Sequence, residues 1–374
     1  MIKKLKRIIK RIYLAKRDLR RFKEDLKVNT NEKNIIFISH NADSNGGAPV
    51  VLYDLAQYLK KEEKVLFLTG KPGGLYNDKL KMYLMEIFYK KYLKYLNKDN
   101  TKYILVNTIL GYKYINELEK KDIPIIWWIH EENRIIEKFS KKIQKIKYKN
   151  NIKVMCVSPQ VKEEFEKVRK DFNCEIMFYG IEDKINEIRN KKKKEDGKFI
   201  ISVIGRICER KNQLQVIEAV NMINDTNIRN KIQINFVAGS KEDKYYEKIK
   251  KYFNKNITII GPIERKKMID IYANTDLVVC CSNNDPLPVV ITEAMMYKRL
   301  FITSSETGQA KIINNEVNGI VYDINNIGEL KEEIIKCFND EYGDSIIDGA
   351  RKLYEDNFKF SVLEEKISEA INNE

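Results

Sequence analysis

The chain has 374 residues and a formal net charge of +15, from 69 Lys and Arg against 54 Asp and Glu. This length is typical of two domains, and a hydrophobic content of 43% excludes a chain that is disordered throughout. The basic surplus favours an anionic partner, such as nucleic acid, a membrane surface or a phosphorylated substrate. The six Cys form no CxxC pair, which favours a reduced, cytoplasmic setting without a zinc site.

The first 33 residues are predicted to form a basic amphipathic helix. Residues 1–27 hold twelve Lys and Arg and three Asp and Glu, which is 12 − 3 = +9 of the net charge. Apolar residues recur in this segment at alternating steps of three and four, as on one face of a helix. They are Leu5, Ile8, Ile12, Ala15, Leu19, Phe22 and Leu26.

Three interpretations of this helix are open. It can lie on an anionic membrane, pair with a second copy as a short coiled coil, or pack on its own chain with a solvated charged face. The first two are favoured over the third. Nucleic acid is not expected as a partner, because no aromatic platform or groove-reading motif accompanies the charge. A homo-oligomer stays open.

After residue 33, short apolar runs alternate with helix-like stretches, which predicts βα units and parallel sheets buried on both faces. The predicted strands lie at 34–39, 64–69, 103–107, 124–129, 153–157, 198–204, 232–239, 256–261, 276–281, 300–304 and 319–323. This pattern favours an α/β protein with two doubly wound, Rossmann-like domains on either side of a cleft. Ligands of such sheets bind beyond the carboxyl ends of the strands.

The change in composition near the middle of the chain predicts the domain boundaries. An N-terminal domain is expected over 34–181 and a C-terminal domain over 198–345. Residues 182–197 are polar and contain KKKK, so they are predicted to be a linker. Residues 346–374 are predicted to form C-terminal helices that pack back toward the N-terminal domain.

The first candidate loop follows the predicted strand at 34–39 and runs from His40 to Pro49. It contains Gly46 and Gly47 just before a predicted helix, and these glycines allow a ligand to approach the backbone closely. An ordinary strand-to-helix turn explains the pattern equally well, so both interpretations stay open.

The second loop follows the strand at 198–204 and reads GRICERKN from Gly205 onward. Its cations Arg206 and Lys211 lie five residues apart. Arg offers a planar fork and Lys a mobile point charge, so beside a helix N-terminus the two could clamp a diphosphate. The alternative is that Arg210 and Lys211 are solvated surface charges. The glycine and the strand context favour the diphosphate site.

The third loop follows the strand at 276–281 and reads SNNDPLPVVITEAM. Asp285 lies in the loop, and Glu293 lies about one turn into a helix that starts near Val289. Their spacing does not place them on one helical face, so they would hold separate parts of one elongated ligand. A carboxylate accepts hydrogen bonds from hydroxyls, which suits a sugar or a ribose. Alternatively, the Asp caps the helix and the Glu is paired on its surface.

In this order and spacing, the three loops resemble those of GT-B glycosyltransferases of the large retaining class called family 4. The motif Gly-Arg-x4-Lys appears as GRICERK and the motif acid-x7-Glu as DPLPVVITE, followed by AMMYKRLFITS and NNEVNGIVYD. The resemblance covers most of residues 34–372. It implies that 34–181 is the acceptor-side domain and 198–345 the nucleotide-sugar-binding domain.

The resemblance also implies an activity. It is that of a retaining, metal-independent, hexosyltransferase-like enzyme that moves a sugar from a nucleotide-diphosphate-sugar to a glycan or lipid-linked acceptor in cell-surface polysaccharide biosynthesis. No cofactor and no metal ion are expected, and the chain contains no Asp-x-Asp pair, the usual metal handle of the other main glycosyltransferase fold.

Site residues follow from the same likeness. Arg206 and Lys211 are expected to bind the donor diphosphate and to stabilise it as it leaves, and Glu293 to bind the ribose hydroxyls. Asp285 and His130 are expected to contact the transferred sugar. Further donor contacts are expected at Gly46, Gly47, Gly205, Leu287, Val289 and Val290.

Two residues depart from the family pattern. Asp285 stands where the family usually has Glu, and the shorter side chain can alter the accepted sugar. Pro288 replaces the usual Gly and has no N–H, so backbone donors to the sugar would come from the residues around it. The second histidine, His40, also lies at a strand end, where a structural and an acceptor-side role are both open.

Two other classes of protein stay open. One is a nucleotide-sugar epimerase on the same fold, against which the presence of only two His argues. The other is a non-catalytic scaffold whose basic helix binds an anionic polymer. The expected location is the cytoplasm, with a peripheral association at the inner face of the cell membrane through residues 1–27 as a further option.

Overall fold

A computed structural model describes residues 2–27, 32–44, 46–76, 79–147, 149–188 and 197–372. The chain divides into two compact units. The first comprises Met1–Ile181 together with Phe360–Glu374, and the second comprises Glu182–Lys359. Each unit is built on one parallel β-sheet.

The first unit contains a sheet of seven parallel strands in the order β3-β2-β1-β4-β5-β6-β7. The strands are β1 (Asn34–Ser39), β2 (Val65–Thr69), β3 (Lys81–Leu84), β4 (Thr101–Asn107), β5 (Ile125–Ile129), β6 (Ile152–Cys156) and β7 (Cys174–Ile176). Every residue of β1, β2 and β5 is buried, as expected for a parallel sheet that is covered on both faces.

The second unit contains six parallel strands in the order β10-β9-β8-β11-β12-β13. They are β8 (Phe199–Ile204), β9 (Ile232–Val237), β10 (Ile257–Ile260), β11 (Leu277–Cys280), β12 (Leu300–Ser304) and β13 (Ile320–Tyr322). In both sheets the strand order reverses beside the first strand of the unit. The loops that follow β1 and β4, and those that follow β8 and β11, therefore meet at a switch point, where open α/β sheets bind ligands.

Helices connect these strands and cover the sheets. They are α1 (Ile2–Lys27), α2 (Gly47–Leu59), α3 (Tyr89–Lys94), α4 (Tyr112–Leu118), α5 (Asn133–Ile143), α6 (Pro159–Val168), α7 (Leu214–Asn221), α8 (Thr226–Lys231), α9 (Asp243–Lys250), α10 (Met268–Ala273), α11 (Val289–Met296), α12 (Ile327–Phe338), α13 (Gly343–Asn357) and α14 (Phe360–Asn372).

The predicted fold class, two Rossmann-like α/β domains preceded by a basic helix, is confirmed. Every predicted strand is present, with ends that differ by no more than two residues. The sequence analysis missed β3 and β7. Both are edge strands of only four and three residues, and such short segments carry little hydrophobic periodicity.

The basic helix α1 packs against β3 and α3. For its C-terminal half, the least favoured of the three interpretations, packing on its own chain, is therefore right. Ala15 and Phe22 are completely buried. The Phe22 ring lies 5.3 Å from that of Tyr83 and 5.1 Å from that of Tyr92, centroid to centroid. The helix thereby covers an edge of the sheet that would otherwise expose unpaired backbone groups.

Two acidic residues fix the orientation of α1. Asp18 is completely buried, and its carboxylate accepts a hydrogen bond of 2.9 Å from the backbone N–H of Leu84 on β3 and another from the Tyr76 hydroxyl. Asp25 accepts hydrogen bonds from Lys81 and Tyr83. The contact face therefore includes two acids, Asp18 and Asp25, in addition to the seam residues Ala15 and Phe22.

The chain's last two helices belong to different units. In α13, the guanidinium of Arg351 donates to Asp183 and to the carbonyl of Met296, all within the second unit. In α14, the ring of Phe360 stacks on Tyr58 with centroids 4.7 Å apart, within the first unit. Of the predicted linker, residues 182–188 belong to the second unit, whereas residues 189–196 lie outside the described residues.

Candidate active site

The second unit places a glycine at the end of its first strand. Gly205 has a φ of +139°, a conformation that side-chain-bearing residues rarely adopt, and its N–H donates to the carbonyl of Val237 at 2.9 Å. Arg206 follows with an exposed side chain. This guanidinium has no ion-pair partner within the described parts of the chain. The turn thus presents a cation next to a backbone that only glycine adopts without strain.

Lys211 lies at the end of a short 3-10 turn (Glu209–Lys211) and points into the unit. Its Nζ is 2.5 Å from Oδ2 of Asp285, and the two side chains are only 15% and 11% exposed. Arg210 reaches the same oxygen at 3.1 Å and also donates to the carbonyl of Asn284 at 2.8 Å. Two of the predicted site residues, Lys211 and Asp285, are therefore in direct contact.

Both charges of this pair are favoured. Burial opposes the ammonium of Lys211, but the attraction of Asp285 outweighs it and raises the pKa of Lys211. Burial also opposes the carboxylate, but Lys211 and Arg210 outweigh it and lower the pKa of Asp285. A fixed positive charge at the carboxyl edge of the sheet is therefore available at neutral pH.

Backbone hydrogen bonds join the loops that carry this pair. The N–H of Asn283 donates to the carbonyl of Arg210 at 2.8 Å, which links the loop after β11 to the loop after β8. Asp285 itself is held on both sides, since its N–H donates to Glu306 and its carbonyl accepts from Gly308. The carboxylate is thus positioned by backbone contacts that precede any ligand.

The N-terminus of α11 follows the loop of Asp285, and the helix begins at Val289. Pro288 is the N-cap, and Gln309 donates to its carbonyl at 2.9 Å. The first N–H groups of a helix have no acceptor within the helix, so those of Val289 and Val290 are suited to an anionic or polar ligand. Leu287, immediately before the cap, is buried.

Glu293 lies one turn further along α11 and is half-buried. Its Oε2 accepts a hydrogen bond of 2.5 Å from the hydroxyl of Tyr272, whose ring is completely buried in α10. The second unit therefore carries Lys211, Asp285 and Glu293 on two adjoining loop–helix segments.

In the first unit, the two glycines lie at the start of α2. Gly46 is the N-cap with φ −93° and ψ 131°, and Gly47 is the first helical residue. A Cβ added to Gly47 would have no neighbour within 4 Å among the described residues. Packing therefore does not require glycine at this position, whereas a ligand that contacts the helix N-terminus would.

His130 follows β5 and stacks on Trp128 with ring centroids 4.4 Å apart. Its Nε2 is buried without a hydrogen-bond partner in the described part of the chain, and burial lowers its pKa to about 3. The ring is therefore neutral at pH 7, with one nitrogen left for a ligand.

Glu131, the next residue, holds the backbone around His130. Its Oε2 accepts from the N–H of Ile109 at 2.8 Å and from the N–H of His130 at 3.1 Å, and burial raises its pKa to about 7. Nearby, Thr108 has a φ of +71°, which a β-branched residue rarely adopts. Strained backbone of this kind concentrates at functional sites.

His40 has both ring nitrogens engaged. Asn41 lies 2.9 Å from Nε2 through its Nδ2, and the Thr108 hydroxyl lies 3.0 Å from Nδ1. Burial, followed by the charges of Lys71 and Lys113, lowers the pKa of His40 to about 4. These contacts favour the structural role for His40.

Sequence reasoning missed three contributors. Arg210, interpreted as an alternative surface charge, shares Asp285 with Lys211. Tyr272 and Glu131 belong to no recognisable sequence motif. Tyr272 acts through Glu293, which is distant in sequence, and Glu131 acts by holding backbone N–H groups. Only for Glu131 was there a signal, a carboxylate directly after a predicted strand and beside a candidate site histidine.

The described residues contain neither a metal-binding cluster nor a membrane-spanning helix. Within them, no three His, Cys, Asp or Glu side chains cluster as metal ligands. None of the helices described is both long and apolar enough to cross a bilayer.

Two family models match consecutive parts of the chain, which together span residues 31–356. Residues 31–188 match the model described as glycosyl-transferase family 4, and residues 184–356 match glycosyl transferases group 1. An uncharacterised glycosyltransferase of Methanocaldococcus jannaschii is 27% identical over 244 residues, which are 62% of this chain and 59% of that relative. The match thus spans less than two thirds of the relative's length.

Solved structures share the fold. The Anabaena protein HepE, crystallised with UDP-glucose, has a TM-score of 0.73 at 16% identity, over 91% of this chain and 100% of that one. WaaG, a glycosyltransferase involved in lipopolysaccharide biosynthesis, has a TM-score of 0.67 at 13% identity, over 91% and 100% of the two chains.

Proposed function

Because the chain belongs to the family 4 type of GT-B glycosyltransferases, we propose that it moves a sugar from a nucleotide-diphosphate-sugar to a glycan or lipid-linked acceptor. The contact of Lys211 with Asp285 at the switch point of the second sheet carries this proposal. HepE, which has the same fold, was crystallised with UDP-glucose, which supports a donor of this class.

The proposed chemistry uses the cations beside β8. Negative charge builds up on the nucleoside diphosphate as the bond to the sugar breaks, and a fixed positive charge at that position stabilises the transition state. Lys211 has three N–H donors and uses one on Asp285, so the others can reach phosphate oxygens. Arg206 and the first N–H groups of α11 add to this stabilisation.

Two carboxylates are proposed to bind the sugar and the ribose of the donor. Asp285 binds hydroxyls of the transferred sugar, and Glu293, oriented by Tyr272, binds the ribose hydroxyls. In the first unit, Gly46 and Gly47 are proposed to approach the donor phosphates, and His130 to contact the donor sugar through its unpaired Nε2.

Two finer features belong to the same proposal. The reaction retains the anomeric configuration by front-face attack without a protein nucleophile, and it needs no divalent ion because Arg206 and Lys211 supply the positive charge. Proton NMR of the product decides the first point. Turnover in excess EDTA decides the second, with unchanged turnover expected and loss that Mg²⁺ or Mn²⁺ restores as the contradicting result.

A panel of nucleotide-diphosphate-sugars tests the activity itself. Consumption of one donor that depends on an added acceptor extract, with a glycosylated product, is the expected outcome. Conversion of a donor to its epimer without an acceptor would instead indicate the epimerase. A chain that binds none of the panel in calorimetry would be a scaffold.

The outward face of α1 supports a membrane partner for this enzyme. Ile9 and Tyr13 are 57% and 67% exposed, although both are large and apolar. They share that face with exposed Lys16 and Arg20. An apolar pair bordered by cations suits the headgroup region of an anionic membrane, so we place the enzyme at the cytoplasmic membrane face, in polysaccharide biosynthesis.

Sedimentation with vesicles tests the membrane part by point substitution. Deletion of α1 is unsuitable because it would uncover β3. Ile9→Glu with Tyr13→Glu should abolish sedimentation with anionic vesicles while leaving the melting temperature unchanged, since both side chains face solvent. Exposed Tyr252 and Val317, at 43% and 56% in the second unit, offer a matched control as Tyr252→Glu with Val317→Glu. Equal sedimentation of wild type and the double variant would remove the membrane partner from the proposal.

A further inference from the structure

Two lysines lie beside the central loop of the first sheet. Lys71 follows β2, and Lys113 lies in the first turn of α4, after β4. Because β2 and β4 flank β1, the loop that begins at His40 runs between them. The N–H of Ala42 donates to the carbonyl of Lys71 at 3.0 Å, and the Thr108 hydroxyl lies 3.0 Å from Nδ1 of His40. The three loops therefore form one surface.

No carboxylate pairs with either lysine among the residues described. Lys113 is half-buried, and its Nζ lies 4.7 Å from the ring centroid of Tyr114 and 5.5 Å from that of Tyr89. Burial and the charge of Lys71 lower the pKa of Lys113. The opposing carboxylate, Glu86, is held in an ion pair by Arg11 of α1. Lys71 is exposed, whereas the ammonium of Lys113 is partly desolvated without a carboxylate partner in the described chain, which is costly, and an anion would relieve that cost.

A buried hydroxyl lies at the same turn. The Tyr114 side chain is completely buried, and its hydroxyl has no hydrogen-bond partner in the described chain. A Cβ added to Gly70, directly before Lys71, would lie 2.7 Å from that hydroxyl. Buried polar groups are almost always paired, so an unpaired hydroxyl on the tyrosine that Lys113 contacts indicates an oxygen that arrives with a ligand or a water molecule.

From this arrangement we propose that Lys71 and Lys113 bind an anionic oxygen group, a phosphate or a carboxylate, on the acceptor. His40 does not compete for the ligand, because both of its ring nitrogens are engaged. The donor diphosphate has its own cations, Arg206 and Lys211, in the second unit. The inference rests on the proposed function, since only a glycosyltransferase would have an acceptor. It adds a substrate class: an acceptor sugar or lipid-linked glycan that carries a phosphate or a carboxylate.

Calorimetry on the full chain with three probes tests this site. Glucose 6-phosphate and glucuronate represent the two anionic groups, and glucose is the neutral reference. Lys71→Gln with Lys113→Gln should weaken binding of an anionic probe by about tenfold or more, the effect of losing charge-assisted hydrogen bonds. The control is Lys98→Gln with Lys147→Gln, two exposed lysines of the same unit whose substitution changes the net charge equally.

The expected pattern is binding of an anionic probe to wild type and control, weaker binding to the Lys71/Lys113 double variant, and no comparable binding of glucose. Whether glucose 6-phosphate or glucuronate binds more tightly identifies the group. Equal affinity in the double variant and the control, or no saturable binding of either anionic probe, would overturn the inference.

Lys211→Gln separates this inference from the proposed function. It should weaken nucleoside diphosphate binding by about tenfold or more while preserving that of the anionic probe, and the Lys71/Lys113 double variant should do the reverse. Probe binding that disappears in Lys211→Gln instead would place the anion at the donor site and overturn the inference. Failure of wild type to bind any nucleoside diphosphate would contradict the donor assignment alone.

The variant Tyr114→Phe provides a second, independent test of the same site. Since the hydroxyl has no protein partner, its removal should leave the melting temperature unchanged or higher, while weakening the anionic probe severalfold. A lower melting temperature with unchanged probe affinity would show that the hydroxyl has a structural partner and does not face the ligand.

Discussion

The carboxyl edges of the two sheets share one topology but differ in their electrostatics. In the second unit, Lys211 and Asp285 form a pre-assembled pair in which each group stabilises the charge of the other. In the first unit, both histidines are neutral, and Lys71 and Lys113 have no carboxylate partner in the described chain. The same strand order therefore supports a permanent charge pair at the edge of the second sheet. At the edge of the first sheet, the proposed counter-charge of the lysines comes from a ligand. Function is set by the loops, while the fold only brings them together.

The largest expected effect is that of Lys211→Ala, which tests whether the Lys211–Asp285 pair is catalytic or only structural. Lys211→Ala should lower donor turnover by about 100- to 10,000-fold, the range for loss of a key charge stabiliser. It should also destabilise the second unit, because Asp285 then keeps only Arg210 as a partner. Adding Asp285→Asn should recover much of the stability and none of the turnover, as measured by chemical denaturation and donor consumption. Recovery of both would mean that the pair is structural only.

The pH dependence of stability tests Glu131, the buried carboxylate of the first unit, whose pKa is raised whereas that of Asp285 is lowered. Burial raises the pKa of Glu131 from 4.5 to about 7, so the folded state holds the proton more tightly than the unfolded state. Its contribution to stability is full below pH 4.5 and is lost as the pH rises through about 7. The loss is on the order of 3 kcal/mol.

Glu131→Gln should remove this pH dependence, because an amide oxygen can still accept the N–H groups of Ile109 and His130. Denaturation curves at several pH values should show a wild-type stability that falls relative to the variant between pH 4.5 and 7. Parallel pH profiles of the two proteins would contradict the assignment.

Glu293 and Tyr272 provide a graded test of ribose binding. Glu293→Gln removes the charge that accepts ribose hydroxyls, so nucleotide affinity should fall by about tenfold to a hundredfold. Tyr272→Phe only releases the carboxylate from one hydrogen bond, so a smaller loss in affinity is expected, seen in KM rather than kcat. Calorimetry and steady-state kinetics measure both. An effect of Tyr272→Phe larger than that of Glu293→Gln would show that the tyrosine, not the glutamate, contacts the nucleotide.

The smallest effects come from a matched pair of glycines. Gly205→Ala should destabilise the chain by about 1 kcal/mol or more, because its φ of +139° strains any L side chain. Gly47→Ala should not destabilise, since the new Cβ has open space at a helix start, but it should reduce donor turnover by obstructing the ligand. Thermal melts and turnover assays compare the two. Unchanged turnover in Gly47→Ala would remove that glycine from the site.

Sequence patterns were sufficient to predict the elements that are determined by their own local sequence. Each long strand is a continuous apolar run, and the GRICERK and DPLPVVITE segments follow such runs, so Lys211 and Asp285 could be assigned to one edge. The spacing did not show which cation of GRICERK reaches Asp285. That depends on the 3-10 turn at 209–211, which brings both Lys211 and the more exposed Arg210 to Asp285 and leaves Arg206 exposed without a carboxylate partner in the described chain.

Non-local contacts explain what the sequence could not predict. The seam of α1 predicted an apolar contact face, but Asp18 is buried because its partners, Leu84 and Tyr76, lie far along the chain. β3 escaped prediction for the same reason, since its short segment is stabilised by a helix that precedes it by more than fifty residues. Pairing of this kind has no signature within either segment.

The most direct test of the central claim, that Lys211 binds the donor diphosphate, compares two ligands on two proteins. Wild type and Lys211→Gln are titrated by calorimetry with the nucleoside diphosphate that binds best in the panel and with the corresponding monophosphate. Wild type should prefer the diphosphate by about tenfold or more, and Lys211→Gln should lose that preference while its monophosphate affinity changes little. A variant that keeps the wild-type ratio of diphosphate to monophosphate affinity would contradict the claim.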